Sequence, residues 1–562
     1  MASISKHAFT SADVHVKAEE KDKTASDDHS FSATEGKNWR EYQRILFRIS
    51  FIFFIALSIP NNPLWYEHVL KIDWFNLDYR DLYDICRFGS GINLFGNSFF
   101  GYRLLGYANW ITTLLIAVGG GLLWTLIAKI QKRERKEYNL LYYWLNVIVR
   151  YRAGLGIIGF GFTKLLPVQM PYPSLGILDT DYGELTSQKI FWLSFGIVPW
   201  YQVFAGVLEV TAGALLLFRK TVGIGAALLV GALGVIVVVN LVYDGGVHVY
   251  SSYFTLLGLF LLVPYYKPFG DVFIHERAAK VALFFPTFNG AWPYVRFGLK
   301  ALTLFVFLGV FFYLQLVDFL YDPYKQPSTA GIKELRGNYD VTEFRLNNRV
   351  LPYDPLDTVR WQSATFERWT TLTFRVNRSL PLDLSNGGGD PKRDVNRTFE
   401  IAGVAGGQRA FHYYADTLER RLYLEDKYKP IPDRRNVTSG SGGDGGVRNY
   451  GILPEALSAA GSGLSLDEWI PEEARLRIGE EVNFVHPRAR TTRRIREFAK
   501  ADELAKKEIR KRFVIDYEVI DGGNRIVLNG IDENKDSIYV VLDRVKKDYK
   551  LSPGKLDAGQ YD

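Results

Sequence analysis

A single cysteine, Cys86, stands in a chain of 562 residues. One thiol forms no intramolecular disulfide, no CxxC redox pair and no cysteine-based metal site, so membrane thiol-relay chemistry is excluded. Haem, flavin and iron-sulfur signatures are missing as well, and any redox cofactor would have to be borrowed. A net charge of +7 is modest for this length and forms no stripe suited to nucleic acid. The first 40 residues lack the short apolar core and small-residue cleavage site of a signal peptide; rich in Lys, Asp, Glu, Ser and Thr, they read as a disordered tail. No internal repeat with broken helices stands out, which ranks a transporter low.

What the chain does have is long apolar runs, crowded into its first 320 residues. Several approach or exceed the roughly 20 residues that a spanning helix needs. We expect seven spans, near 45–60, 106–130, 140–167, 200–218, 221–243, 247–263 and 299–319. The run KIQKRERKEY at 129–138 is the strongest cytoplasmic marker. From it the remaining loops alternate correctly: Arg219 and Lys220, then the amphipathic KPFGDVFIHERAAK at 267–280, fall on the same side. This places the N-terminus inside and everything after Tyr321 outside. The first span is the weakest, with Arg48 expected to snorkel to the headgroups. The aromatic connection 61–102 suits the membrane interface, and 191–199 is too short to span, so a re-entrant or interfacial piece is expected there.

Beyond residue 337 the pattern turns to short β-rich runs separated by turn chemistry. RWTTLTFRV, RRLYLED, RFVIDYEVI, NRIVLNG and DSIYVVLDRV are the clearest, the last two joined as a hairpin by IDENKD. Gly387 to Gly389 and the Gly/Ser-rich run 439–463 read as loops, and the charged 488–511 as a helix. The fold class is thus an α-helical polytopic membrane bundle followed by a β-rich extracytoplasmic domain, an antiparallel sheet or barrel. Its parts are a tail (1–40), an N-terminal membrane region (41–139), a four-helix core (140–266), an amphipathic segment with the last span (267–320) and the outer domain (321–562).

Polar residues inside the core mark where chemistry could lie, since each cation at the centre of a span costs roughly 2.5 to 3.5 kcal/mol on insertion scales. At about 100° per residue Arg150, Gly154, Ile157, Gly161 and Lys164 share one helix face. Gln202, Gly206, Glu209 and Gly213 share a face of the next helix. Measured from helix ends, Glu209 lies about 13 Å and Arg150 about 15 Å deep, so an Arg150–Glu209 ion pair is expected, either a register clamp or part of a proton or substrate path. Arg152, roughly 200° away from Arg150, needs another partner. Lys164, Asn240, Asp244, His248 and Tyr250 form a second cluster near the outer ends. There Lys164 could act as a base and His248 could move a proton; an interfacial role, with Lys164 snorkelling and Asp244 capping a turn, is the alternative.

The block 150–264, with RYRAGLGIIGFGFTKLLP followed by GVLEVTAGALLLF and two more apolar runs, resembles the four-helix DoxX family of membrane proteins. The likeness rests on Arg150, the Gly161 to Leu165 segment, Glu209, Gly213 and the three leucines 215–217, about a fifth of the chain. The tail with RWQSATFERWTTLTFRV is similar to that of long DoxX-like proteins of Bacteroidetes-type bacteria. This resemblance implies a bacterial inner-membrane protein, in some members a small subunit of a quinone-linked oxidoreductase such as thiosulfate:quinone oxidoreductase. The core is also similar to the membrane part of vitamin-K-dependent gamma-carboxylases, whose catalytic lysine would map to Lys164. The expected function is a component of a redox system meeting quinone between helices. The alternatives are a non-enzymatic envelope anchor whose domain 321–562 binds a partner protein, and a carboxylase-like enzyme.

Overall fold

The computed structural model describes residues 39–428, 469–490 and 510–549, apart from a few short gaps. The tail 1–38, most of the Gly/Ser-rich run and most of the charged helix expected at 488–511 lie outside the described residues. The first half is helical: α1 (Glu41–Ser58), α2 (Pro63–Leu70), α3 (Tyr79–Cys86), α4 (Ala108–Ile130), α5 (Asn139–Leu165), α6 (Leu175–Leu178), α7 (Ser187–Gly196), α8 (Pro199–Leu216), α9 (Val222–Val242), α10 (His248–Leu262), α11 (Tyr266–Phe273), α12 (Trp292–Leu304) and α13 (Phe311–Tyr321). A π-helical stretch, Phe305–Val310, joins the last two into one rod.

Among the described residues four helices are long and apolar enough to cross a bilayer: Ala108–Ile130, Val222–Val242, His248–Phe273 and Trp292–Tyr321. A fifth is added if α7 and α8, bent by 91° at Ile197 and Val198, are taken as one broken span. The remaining two expected spans are α1 and α5, which carry Glu41, Arg44 and Arg48, and Arg150, Arg152 and Lys164. Both nonetheless pack inside the bundle, α1 against α4 and α5, and α5 against α8 and α10.

Small residues set the α5–α8 contact. A Cβ on Gly206 would stand 2.2 Å from the Leu165 nitrogen, and one on Gly154 3.0 Å from the Gly213 carbonyl oxygen, so the two backbones touch. α9 then packs on α8, and α10 on both α9 and α5, which closes a four-helix arrangement. Arg48 does not reach the headgroups. It is buried, with Nη1 donating to Thr125 Oγ1 at 2.7 Å and Nε and Nη2 to Tyr138 Oη at 3.0 and 2.8 Å. A guanidinium has five donors, and here neutral hydroxyls close enough to use them outweigh the pull of water.

The second half is a closed barrel. β1 (Gly337–Leu346), β3 (Ser363–Phe366), β4 (Thr371–Arg375), β5 (Gln408–Asp416), β6 (Arg421–Asp426), β7 (Arg512–Ile520), β8 (Arg525–Ile531) and β9 (Ser537–Val545) pair antiparallel in chain order, and β9 returns to β1. The two-residue β2 (Arg349–Val350) extends β1 as a hairpin. Eight strands enclose just enough room for side chains. Tyr339, Phe344, Phe366, Phe411, Leu528 and Val540 are among those that fill it, supplied by the alternate positions of each strand. The expected β8–β9 hairpin forms, with Ile531 opposite Ser537.

The barrel is fixed to the bundle by the segment that follows α5. The backbone N–H groups of Leu175 and Gly176 donate to the buried Glu367 carboxylate at 3.1 and 2.7 Å, and Thr180 Oγ1 donates to Gln408 at 3.0 Å. Arg375 pairs with Asp181 and Glu184, and Lys547 with Asp179. Lys189 of α7 is buried over the Phe399 ring, 3.7 Å from its centre, and donates to the Phe399 carbonyl. The barrel therefore sits at the Lys164 end of α5, away from the basic 129–138 turn.

Candidate functional site

The glycine contacts that let α5 and α8 touch also fix their register. Gly154 meets Gly213, Gly161 meets Glu209 and Val210, and Gly206 meets Leu165. In this register Glu209 lies opposite Lys164. Lys164 Nζ donates to both carboxylate oxygens, at 2.6 and 2.8 Å, with both side chains buried. The Arg150–Glu209 pair expected from sequence does not form. Depth counted from each helix's own end misled, because α5 has 27 residues and α8 only 18, and α8 lies along the Lys164 end of α5.

The Lys164 end is sealed. Gln202 clamps the chain above it, its Oε1 accepting from the Met170 N–H and its Nε2 donating to the Met170 carbonyl, both at 3.0 Å. Val168, Met170 and Tyr172 are buried there, and the Pro171 carbonyl presses on Gly196. A lysine held by two carboxylate oxygens and shielded in this way is a clamp between helices. Freeing it as a base requires Glu209 to let go.

Arg152 faces a different neighbour. Its Nη1 donates to the Cys86 carbonyl at 2.6 Å, while the guanidinium lies 3.8 Å from the centre of the Phe88 ring and 5.1 Å from that of Tyr253. Nε and Nη2 are buried without an acceptor, and so is the Tyr250 hydroxyl. Arg87 lies beside them, donating to Tyr83 Oη at 3.1 Å and set over Phe160 and Tyr250. Two cations thus share an aromatic chamber. α3 builds one of its walls, and its start is fixed locally: the Asp78 carboxylate accepts from the Arg80 and Asp81 N–H groups.

The other expected outer residues do not join Lys164. His248 starts α10, and its Nε2 donates to the Leu105 carbonyl at 2.7 Å, beside the Tyr107 ring. Asn240 donates to Ile236 and accepts the Gly245 N–H through its own carbonyl. Asp244 adopts the left-handed conformation, φ 55°, and Gly246 follows at φ 72°. These positions make the α9–α10 turn. Gln188 of α7 braces it, donating to the Gly245 carbonyl.

The barrel wall carries a groove that no expectation from the sequence covered. A groove of about 740 Å³ runs between the strands and a short helix, α14 (Glu472–Ile478), and is lined by His412, Tyr414, Arg420, Arg477, Glu481 and Tyr517 among others. Thr370 Oγ1 is 3.2 Å from His412 Nδ1, and burial holds this imidazole's pKa down at about 3, so it is neutral. Arg477 donates to Asp416 at 2.6 Å, and that hydrogen bond keeps the carboxyl below its usual range. The chain separates its ends widely: these groups come from strands and a helix far apart in sequence, so no local motif announces them. Among the described residues no group of three His, Cys, Asp or Glu could hold a metal.

No family model, curated protein or solved structure matches this chain.

Proposed function

We propose that the protein is a multi-pass protein of a bacterial inner membrane that anchors its barrel on the outer face as a module binding a partner protein or ligand of the envelope. Seven spans, counting α1, α5 and the bent α7–α8 pair, would leave the barrel opposite the basic 129–138 turn, as the positive-inside rule asks. The groove beside α14 carries this reading. At about 740 Å³ it falls within the range of binding clefts, and it presents Arg420, Arg477 and Tyr517 on a domain immobilised by buried contacts to the bundle. In a deletion strain complemented with variants, Arg420→Ala and Tyr517→Ala should abolish rescue of the envelope phenotype, while the exchange Lys164→Met with Glu209→Leu should retain it. The reverse pattern would overturn the reading.

A second reading has one specific observation in its favour. A DoxX-like component of a quinone-linked redox system needs donors for a quinone carbonyl, and Arg152 Nε and Nη2 are unpaired amid aromatic rings. Quinone extracted from purified protein should then fall on Arg152→Gln, and equal content in both proteins would remove this alternative. The carboxylase-like reading ranks last, because Lys164 is already engaged by both oxygens of Glu209.

A further inference from the structure

Helix lengths leave a recess at the end of the bundle opposite the barrel. α8 and α9 turn at Phe218 to Thr221, level with the middle of α5, whereas α5 continues toward Asn139 for 11 more residues beyond Arg150, about 16 Å at 1.5 Å each. Into this step open Asn139, Asn146, Arg150 and Arg219, with Tyr265 and Phe285 as apolar walls.

Cations dominate the recess: the Glu137 carboxylate at its rim accepts from Asn139, and among the described residues no ion pair engages Arg150, Arg219, Arg296 or Lys300. Arg150 lies beside Arg219, and Lys300 of α12 has Arg150, Arg219 and Arg296 as its charged neighbours, with no carboxylate among them. Arg150 Nε is buried and has no acceptor. Arg219 is set over the Phe285 ring at 4.7 Å and Lys300 over Phe218 at 3.7 Å, so rings hold both heads in place. Four like charges so close repel one another, and an anion relieves them.

The surroundings say which anion. α11, immediately after α10, exposes Tyr266, Phe269 and Phe273, and α12, which carries Lys300, buries no residue at all. Exposed aromatic side chains at the end of an apolar bundle mark the headgroup level of a bilayer. We propose that this recess binds the phosphate headgroup of an anionic phospholipid, with Arg150 and Arg219 at its floor and Lys300 and Arg296 at its open side.

Full-length protein in nanodiscs of phosphatidylcholine, with or without phosphatidylglycerol, tests this. Phosphatidylglycerol should raise the thermal midpoint of the wild type, and most of that rise should vanish in Arg150→Gln with Arg219→Gln. Because a change on α5 can also disturb folding, Lys300→Gln on the unburied α12 serves as a second variant. Native mass spectrometry should show its retention of phosphatidylglycerol reduced roughly fivefold, the equivalent of about 1 kcal/mol per charge. An equal rise and equal retention in all three proteins would overturn the site. A rise produced by inorganic phosphate in phosphatidylcholine nanodiscs would overturn its assignment to lipid.

Discussion

The bundle and the barrel both bury cations, and they neutralise them differently. In the barrel and its joint with the bundle, carboxylates do the work: Arg397 pairs with Asp322 and Asp394, Lys427 with Glu400, and Arg409 with Asp426 and Glu533. In the bundle Arg48 and Arg152 are met by hydroxyls, a carbonyl and aromatic faces, while Arg80 pairs with Asp84 within α3 and Lys164 with Glu209 between α5 and α8. For a bundle lying in a bilayer the difference has a physical reason. A carboxylate that misses its partner in lipid finds no water, so each acid there is a hazard, whereas a ring leaves no polar group unsatisfied.

This contrast can be broken most sharply at the Lys164–Glu209 pair. Glu209→Ala should destabilise the protein by about 3 to 5 kcal/mol, because Lys164 is left buried and uncompensated, whereas Lys164→Met combined with Glu209→Leu should recover most of that loss. Thermal unfolding in detergent or nanodiscs distinguishes the two. Equal loss in the single and paired variants would show that the charges are not coupled.

Close approach of the two helices underlies that pair, and Gly206→Ala tests it. Its Cβ cannot fit 2.2 Å from the Leu165 nitrogen, so the helices must part, at a cost of about 1 to 3 kcal/mol. Lys164 should then become reactive to an amine-directed reagent that spares it in the wild type.

At the joint between the two regions, Glu367→Gln keeps the size but removes the charge that receives two backbone N–H groups. About 1.5 to 3 kcal/mol of docking should be lost. Limited proteolysis of 166–186 should quicken, while the barrel's own unfolding midpoint stays in place.

The last effect belongs to the barrel alone and appears only in acid. His412 has a folded-state pKa of about 3, below the ordinary 6.5, so the unfolded chain binds the extra proton more readily. Its contribution is complete above about pH 6.5 and is lost progressively as the pH falls toward 3. The acid limb of stability should be shallower in His412→Gln than in the wild type.

Much of the helical half was legible in the sequence, since apolar length alone locates a span. The expected 106–130 became Ala108–Ile130, and 221–243 became Val222–Val242. Register was not legible. Which residue of α8 faces Lys164 depends on where Gly206 and Gly161 interlock, a two-body fact that periodicity along one helix does not contain. The same holds for Arg152, whose partners come from α3 and from Phe88 in a stretch that reads as an interfacial loop. In the barrel the hairpin at IDENKD was plain, whereas Ser363–Phe366 is too short to signal itself. The groove was invisible for want of any local pattern.

Closure of β1 against β9 has a consequence for biogenesis. Gly337–Leu346 leaves the ribosome early yet lacks its second neighbour until Ser537–Val545 has been made, some 200 residues later. During that interval a nascent edge lies open beside a helical platform already made. Translation of the final strand is therefore the step that commits the domain, and a frameshift between β8 and β9 would leave two raw edges for quality-control proteases to find.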